Sequence, residues 1–269
     1  MDFKKLSEIK IQHIPEIEKS ESGPFEPKEF FSAKEQKEIK DALINSRLTT
    51  GLSLEGLDTH RTLFPGSFRK EILDLAASDF LKEIRRKTLP SAWGKLRDYG
   101  FLLRLAPEMR NELTINKEER SEMAAHIRFD LGSGAYFEFC RTAVDFFVIF
   151  PEYRDDLNLD RKTFDTVLGG IRQASNYNIL LTGLAELSLA FPEYKKEIGF
   201  DAAEEKKAIE FLETLMRGEY WKFSVPDFAY ALYILTHDSR INERGEIEIK
   251  PPEKKFKPKE ERPPIVRKF

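Results

Sequence analysis

The chain has 269 residues, 41% of them apolar and 34% charged, with a formal net charge of −3. It is long enough to bury a sizeable core, and no apolar run approaches the eighteen residues that a membrane span needs. Residues 250–269 hold eight Lys/Arg against three Glu, which leaves a body of 36 basic and 44 acidic side chains with a net charge of −8. Such a body argues against a general nucleic-acid-binding surface, because affinity for phosphate backbones rests on positive charge.

Residues 1–10 carry three lysines and no apolar segment of signal-peptide length. Cys140 is the single cysteine, so no internal disulfide can form, and a reducing cytoplasm is the expected compartment. The expectation for partners is a protein or peptide, nucleic acid only through the basic tail, and no membrane.

In chain order, residues 1–27 mix charge with scattered Ile and three prolines and read as an extended N-terminal arm. Residues 28–62 read as a capping helix and loop. The helix spans 28–47, with Phe30, Phe31, Ile39, Leu43 and Ile44 as its stripe and Ser32 as its cap. The loop spans 49–62 and carries two glycines. Residues 63–241 read as a helical-repeat domain, and 242–269 as a basic, proline-rich tail. Within that last part 242–250 is expected to be extended, and 251–269, with five prolines, disordered.

The repeat is carried by one phrase. Phe150-Pro151-Glu152-Tyr153-Arg154-Asp155-Asp156-Leu157 returns as Phe191-Pro192-Glu193-Tyr194-Lys195-Lys196-Glu197-Ile198. Looser versions run from Ala106 to Leu113 and from Phe64 to Ile72. Ile72, Leu113, Leu157 and Ile198 are separated by 41, 44 and 41 residues. A fixed period of that size marks a repeat array. Proline ends one helix, since it lacks an N–H and clashes with the preceding turn, and the Glu behind it suits the start of the next helical turn. The tyrosines are expected to pack between repeats. Each repeat also shows two helical stripes. Ile127, Ile171 and Leu212 each lie fourteen residues beyond the turn's Leu or Ile, and Ile115, Leu159 and Phe200 each lie two beyond it. A fifth, degraded turn without proline is expected at 236–241.

The expected fold is therefore all-α, a right-handed stack of about four to five helix pairs. In period and helix-pair form, residues 63–241 resemble the α-solenoid superfamily of HEAT and armadillo-type repeats. The resemblance implies an extended, curved stack whose second helices line a concave binding face.

Residues that interrupt the apolar stripe of those second helices are the binding candidates. They are Arg97, Asp98 and Arg104, then Glu138, Arg141 and Asp145, then Tyr177 and Asn178, and lastly Trp221. Asn176, Glu186, Asp227, Tyr136 and Tyr220 accompany them. For any one of these, an intramolecular salt bridge or loop packing is the competing reading. No catalytic residue, metal site or cofactor is expected. The histidines are scattered, Cys140 lies on an apolar helix, and no HExxH helix or phosphate-binding loop occurs.

Three functions follow. The first is a non-enzymatic scaffold that binds a protein or peptide on its concave face. The second is a nucleic-acid-binding protein of the HEAT-like DNA-glycosylase type, with Trp93, Arg97, Asp98 and Arg141 as its candidates. The third is an all-α isoprenoid or lipid enzyme. It rests on Asp155-Asp156-Leu157-Asn158-Leu159-Asp160, which resembles the magnesium-binding motif of prenyl-diphosphate synthases. Asp160 also suits a helix N-cap.

Overall fold

A computed structural model describes residues 24–45, 51–68, 70–86, 92–218 and 221–250. It is all-α apart from one hairpin. The helices are α1 (Pro27–Phe30), α2 (Ala33–Asn45), α3 (Gly51–Leu63), α4 (Lys70–Arg86), α5 (Ala92–Leu105) and α6 (Lys117–Ser133). They continue with α7 (Tyr136–Ile149), α8 (Arg161–Ile171), α9 (Tyr177–Ala190), α10 (Ala202–Met216) and α11 (Trp221–Thr236). The hairpin pairs β1 (Asp238–Ile241) antiparallel with β2 (Ile247–Lys250). No helix among the described residues is long and apolar enough to cross a membrane.

Each proline phrase is a 3-10 turn, at Pro107–Glu112, Pro151–Leu157 and Pro192–Ile198. The residue before a proline is pushed out of the helical region. Phe150 (φ −129°, ψ 65°) and Phe191 (φ −128°, ψ 65°) accordingly share one backbone conformation. Three residues after the turn's last apolar side chain comes an N-cap in every repeat. Asn116 accepts from the Glu119 N–H in a capping box, Asp160 from Thr163, and Asp201 from Ala203 and Glu204. These caps satisfy N–H groups that have no partner within the helix. Asn116→Ala is expected to lower the unfolding free energy by about 1 kcal/mol in urea titrations.

The in-phase apolar residues fall where the period puts them. Ile127, Ile171 and Leu212 are buried, and Ile115, Leu159 and Phe200 pack against the core. Ser32 caps as expected, with its Oγ accepting from the Glu35 N–H and Glu35 reaching back to Ser32. Leu75 and Phe129, by contrast, are exposed on α4 and α6.

Several boundaries differ. The helix expected over 28–47 is broken at Phe31 and Ser32, where Phe31 is extended. Most of the loop expected over 49–62 is α3, whose Leu57 and Leu63 are buried. The Gly132-Ser133-Gly134 connector is largely helix, and only Gly134 (φ 79°) takes the left-handed cap. The aromatic loop expected up to Val225 is shortened, since α11 starts at Trp221 and includes Pro226 near its beginning, where its lost N–H costs least. The fifth turn is a strand: Ser239 and Ile241 lie on β1 opposite Ile249 and Ile247. Residues 1–23 of the arm and the tail 251–269 lie outside the described residues.

The helices form pairs, α2 with α3, α4 with α5, α6 with α7, α8 with α9 and α10 with α11. The second members also pack on each other in order, α3 on α5, α5 on α7, α7 on α9 and α9 on α11. An extended stack would leave its ends apart. Here α11 packs back onto α3 and α2, and the row of inner helices closes into a ring. α7 shows the consequence, being buried on all sides from Phe139 to Ile149 apart from half-buried Arg141. A helix that is apolar all round belongs in such an interior.

His60, on α3, is buried within this core against Phe64 and Phe68. Its Nε2–H donates toward the Gln36 carbonyl at 3.4 Å, and Nδ1 lies 3.0 Å from the Ser67 hydroxyl. Burial pushes its pKa from 6.5 down to about 4, against the opposing pull of Gln36. The folded state thus keeps His60 neutral where the unfolded chain takes up a proton. Its contribution is complete above pH 6.5 and is lost as pH falls toward 4, amounting to roughly 3 kcal/mol. Denaturation midpoints measured from pH 7 to pH 4.5 are expected to fall, and less steeply for His60→Gln.

Candidate binding site

The candidate residues come together on the inner face of α5, α7 and α9. Arg104 donates to Asp145 at 2.8 Å, and its other terminal nitrogen lies 3.7 Å from Glu186. Arg97 lies 3.5 Å from the second Asp145 oxygen and 3.4 Å from Glu138. Arg104 on α5 and Glu186 on α9 are carried by helices that flank α7 on either side. Their charges can meet past α7 only on the side toward which the row curves, so this ladder faces into the ring.

The ladder runs from buried to exposed. The Asp145 side chain is 0% exposed and Arg104 5%, whereas Glu138 is 48% exposed. Gly100 explains how α5 comes so close, since a Cβ there would lie 2.6 Å from the Asp145 carboxyl group. The Phe101 ring lies between two guanidinium groups, with Arg97 at 5.1 Å and Arg141 at 5.6 Å. Asp98 is half-buried, one residue along α5 from Arg97.

Other candidates stand apart. Tyr177 opens α9 and packs its ring on Phe211 and Phe228, under the Lys207 ammonium at 5.0 Å. Burial pushes its phenol pKa up, with Glu204 adding to the effect. Asn178 is half-buried beside it, and its Oδ1 has no hydrogen-bond partner. Ile179, the next residue, is exposed. Trp221 begins α11, and its side chain lies outside the described part, as does that of Trp93.

The basic residue of the proline phrase has a role that its sequence context hides. Arg110, Arg154 and Lys195 each stand three residues after the turn proline. Each reaches the last carbonyls of the following inner helix. Arg110 donates to Val148 O at 2.6 Å and also to Ile149 O and to Arg244 O in the hairpin. Arg154 donates to Ala190 O and lies over the Phe147 ring at 4.3 Å. Lys195 donates to Ile234 O and Ser239 Oγ, both at 2.7 Å, and to His237 O. A cation at a helix C-terminus satisfies carbonyls that have no partner of their own and opposes the helix dipole. Burial lowers all three pKa values, that of Lys195 to about 8. The recurring basic residue at this phase was the signal available in the sequence.

The tyrosines of the phrase pack as expected, Tyr194 on Phe164 and Phe191, and Tyr153 on Phe150 under the Arg120 guanidinium at 3.5 Å. The aspartate-rich segment is a surface turn. Asp160 is committed to Thr163, whose hydrogen bonds hold its pKa down. Asp156 lies 3.9 Å from Arg120. Among the described residues no three His, Cys, Asp or Glu side chains are grouped to hold a metal ion. Cys140 is buried, which pushes its thiol pKa well up. His126 stacks on Phe129 and lies 3.7 Å from Asp130.

No protein-family model matches the chain, and neither the curated proteins nor the solved structures compared with it contain a match. The class that the fold defines is an all-α protein of paired helices.

Proposed function

We propose that this protein is a non-enzymatic, solenoid-type helical-repeat scaffold that binds a protein or peptide partner at the inner face of its second helices. The observation that carries this reading is the ladder Arg97–Glu138–Asp145–Arg104–Glu186. Its buried end is rigidly paired and its Glu138 end is open to solvent. Exposed Ile179 and the partnerless Asn178 oxygen lie at the start of the neighbouring α9. Charged groups that stand out from a fixed, desolvated base suit register-specific recognition of a polypeptide. Paired as they are, the same groups suit acid–base chemistry poorly, since each carboxylate already faces an arginine.

A photo-crosslinking side chain at position 179 of the full chain tests it. The expected result is a crosslinked protein partner, lost in Glu138→Lys while the far-UV spectrum stays unchanged. If no protein is captured and an oligonucleotide binds with steep salt dependence, the nucleic-acid reading replaces the scaffold. Release of a bound isoprenoid or lipid on denaturation would favour the third reading.

A further inference from the structure

The two ends of the described chain meet at His237, the residue that follows α11. Its imidazole is fully buried and stacks on Tyr233 at 4.1 Å. Nδ1 lies 3.1 Å from the Tyr233 carbonyl oxygen and 3.1 Å from the Thr236 hydroxyl, whose hydrogen goes to Leu232 O at 2.9 Å. Nε2 lies 3.0 Å from Oε1 of Glu26, 211 residues earlier in the chain.

Both ring nitrogens therefore face acceptors. A carbonyl oxygen can only accept, so Nδ1 carries a hydrogen. An ionised carboxylate can only accept too, so Nε2 needs a second one. The contact is satisfied by an imidazolium facing a carboxylate, or by a neutral imidazole facing a protonated Glu26. Both arrangements hold one proton between Nε2 and Oε1. Without it, two lone pairs confront each other at 3.0 Å.

We propose that residues 24–31 form a strap across the closure of the helical ring, held down by the proton between Glu26 and His237 and loosened when it leaves. The strap buries Phe25 and Phe31, and Phe31 meets Phe64, just past the end of α3, at 5.6 Å. Its release uncovers apolar surface beside the α2–α3–α11 junction, where the ring closes.

The charged and titratable groups around the imidazole are few. Glu26 faces it from the strap and Tyr233 from α11. The Lys195 ammonium sits on its own carbonyl from the preceding turn, with Asp238 of β1 acting on that ammonium. Burial pushes the imidazole pKa below 6.5, and Glu26 pulls it back up. The proton thus joins the docked pair on the acid side of 6.5. A ring with its strap released keeps Lys195 and Tyr233 beside the imidazole but loses the carboxylate, so it holds the proton more weakly. Docking takes up one proton, and acid favours the docked strap.

Amide exchange in the full chain tests this. The Phe30 and Phe31 N–H groups bond to Glu26 O and Pro27 O, both at 2.9 Å. Corrected for intrinsic rates, their protection is expected to rise as pH is lowered from 7 to 5.5. The limit for one proton is tenfold per pH unit, and amides of α7 report global unfolding separately. In Glu26→Gln the side-chain amide donates to a neutral Nε2, so protection becomes independent of pH. Wild-type protection that stays flat or falls on acidification overturns the proposal, as does a Glu26→Gln slope equal to that of wild type.

Discussion

Replacing Asp145 by alanine is expected to lower the unfolding free energy by about 3–5 kcal/mol, because it removes one partner of a desolvated ion pair. Asp145 is fully buried and faces two arginines, Arg104 at 2.8 Å and Arg97 at 3.5 Å. The alanine variant leaves both guanidinium groups in the ring interior, with only Glu186 at 3.7 Å and the more exposed Glu138 to meet them. The intact ladder need not stabilise the fold by the same amount, since its charges were costly to bury in the first place. A double-mutant cycle separates these effects. Arg104→Met in the Asp145→Ala background is expected to cost less than it does alone, with a coupling of about 1–3 kcal/mol. Urea titrations measure all four corners, and an unchanged m-value shows that the unfolded states are comparable. Additivity within error would show that the pair is solvated and that the ladder is no rigid base for binding.

The second large effect is expected at the turn. Arg154→Met keeps much of the side chain's packing on Phe147 and removes the guanidinium that meets the end of α9. Hydrogen bonds to charged groups are worth about 1.5–3 kcal/mol, and a loss of that size is expected. Lys196→Ala, two positions from the same phase in the next turn and exposed, is expected to stay within about 0.5 kcal/mol. Lys195→Met falls between them in charge terms, because burial already penalises its ammonium. Equal stabilities for Arg154→Met and Lys196→Ala would show that the phrase works by its proline and tyrosine alone.

Much of the repeat was readable before any coordinates. The Pro-Glu-Tyr turn, the buried Ile127, Ile171 and Leu212, and the cap at Asp160 all express local rules. A proline breaks a helix wherever it stands, a period of three or four residues defines one face, and a carboxylate caps the N–H groups just ahead of it. The same reasoning marked Arg97, Arg104, Glu138 and Asp145 as interruptions of an apolar stripe, and they do meet. It did not show that they meet each other. Tyr177 and Asn178 had equal standing in the stripe, yet they sit at the α9–α10–α11 junction, away from the ladder.

What escaped was of two kinds. Arg110, Arg154 and Lys195 bond to backbone carbonyls, and a carbonyl has no residue identity for a sequence pattern to register. Glu26 and His237 are 211 residues apart, so no period connects them. The sequence by itself determined an all-α chain of paired helices with a proline turn at fixed spacing, because each of those features depends on residues a few positions apart. Only the tertiary structure decided that the row of inner helices closes on itself and that its charges face inward. Closure depends on the small rotation added at every pair, and that rotation is set by contacts such as Gly100 against Asp145, which no local rule contains.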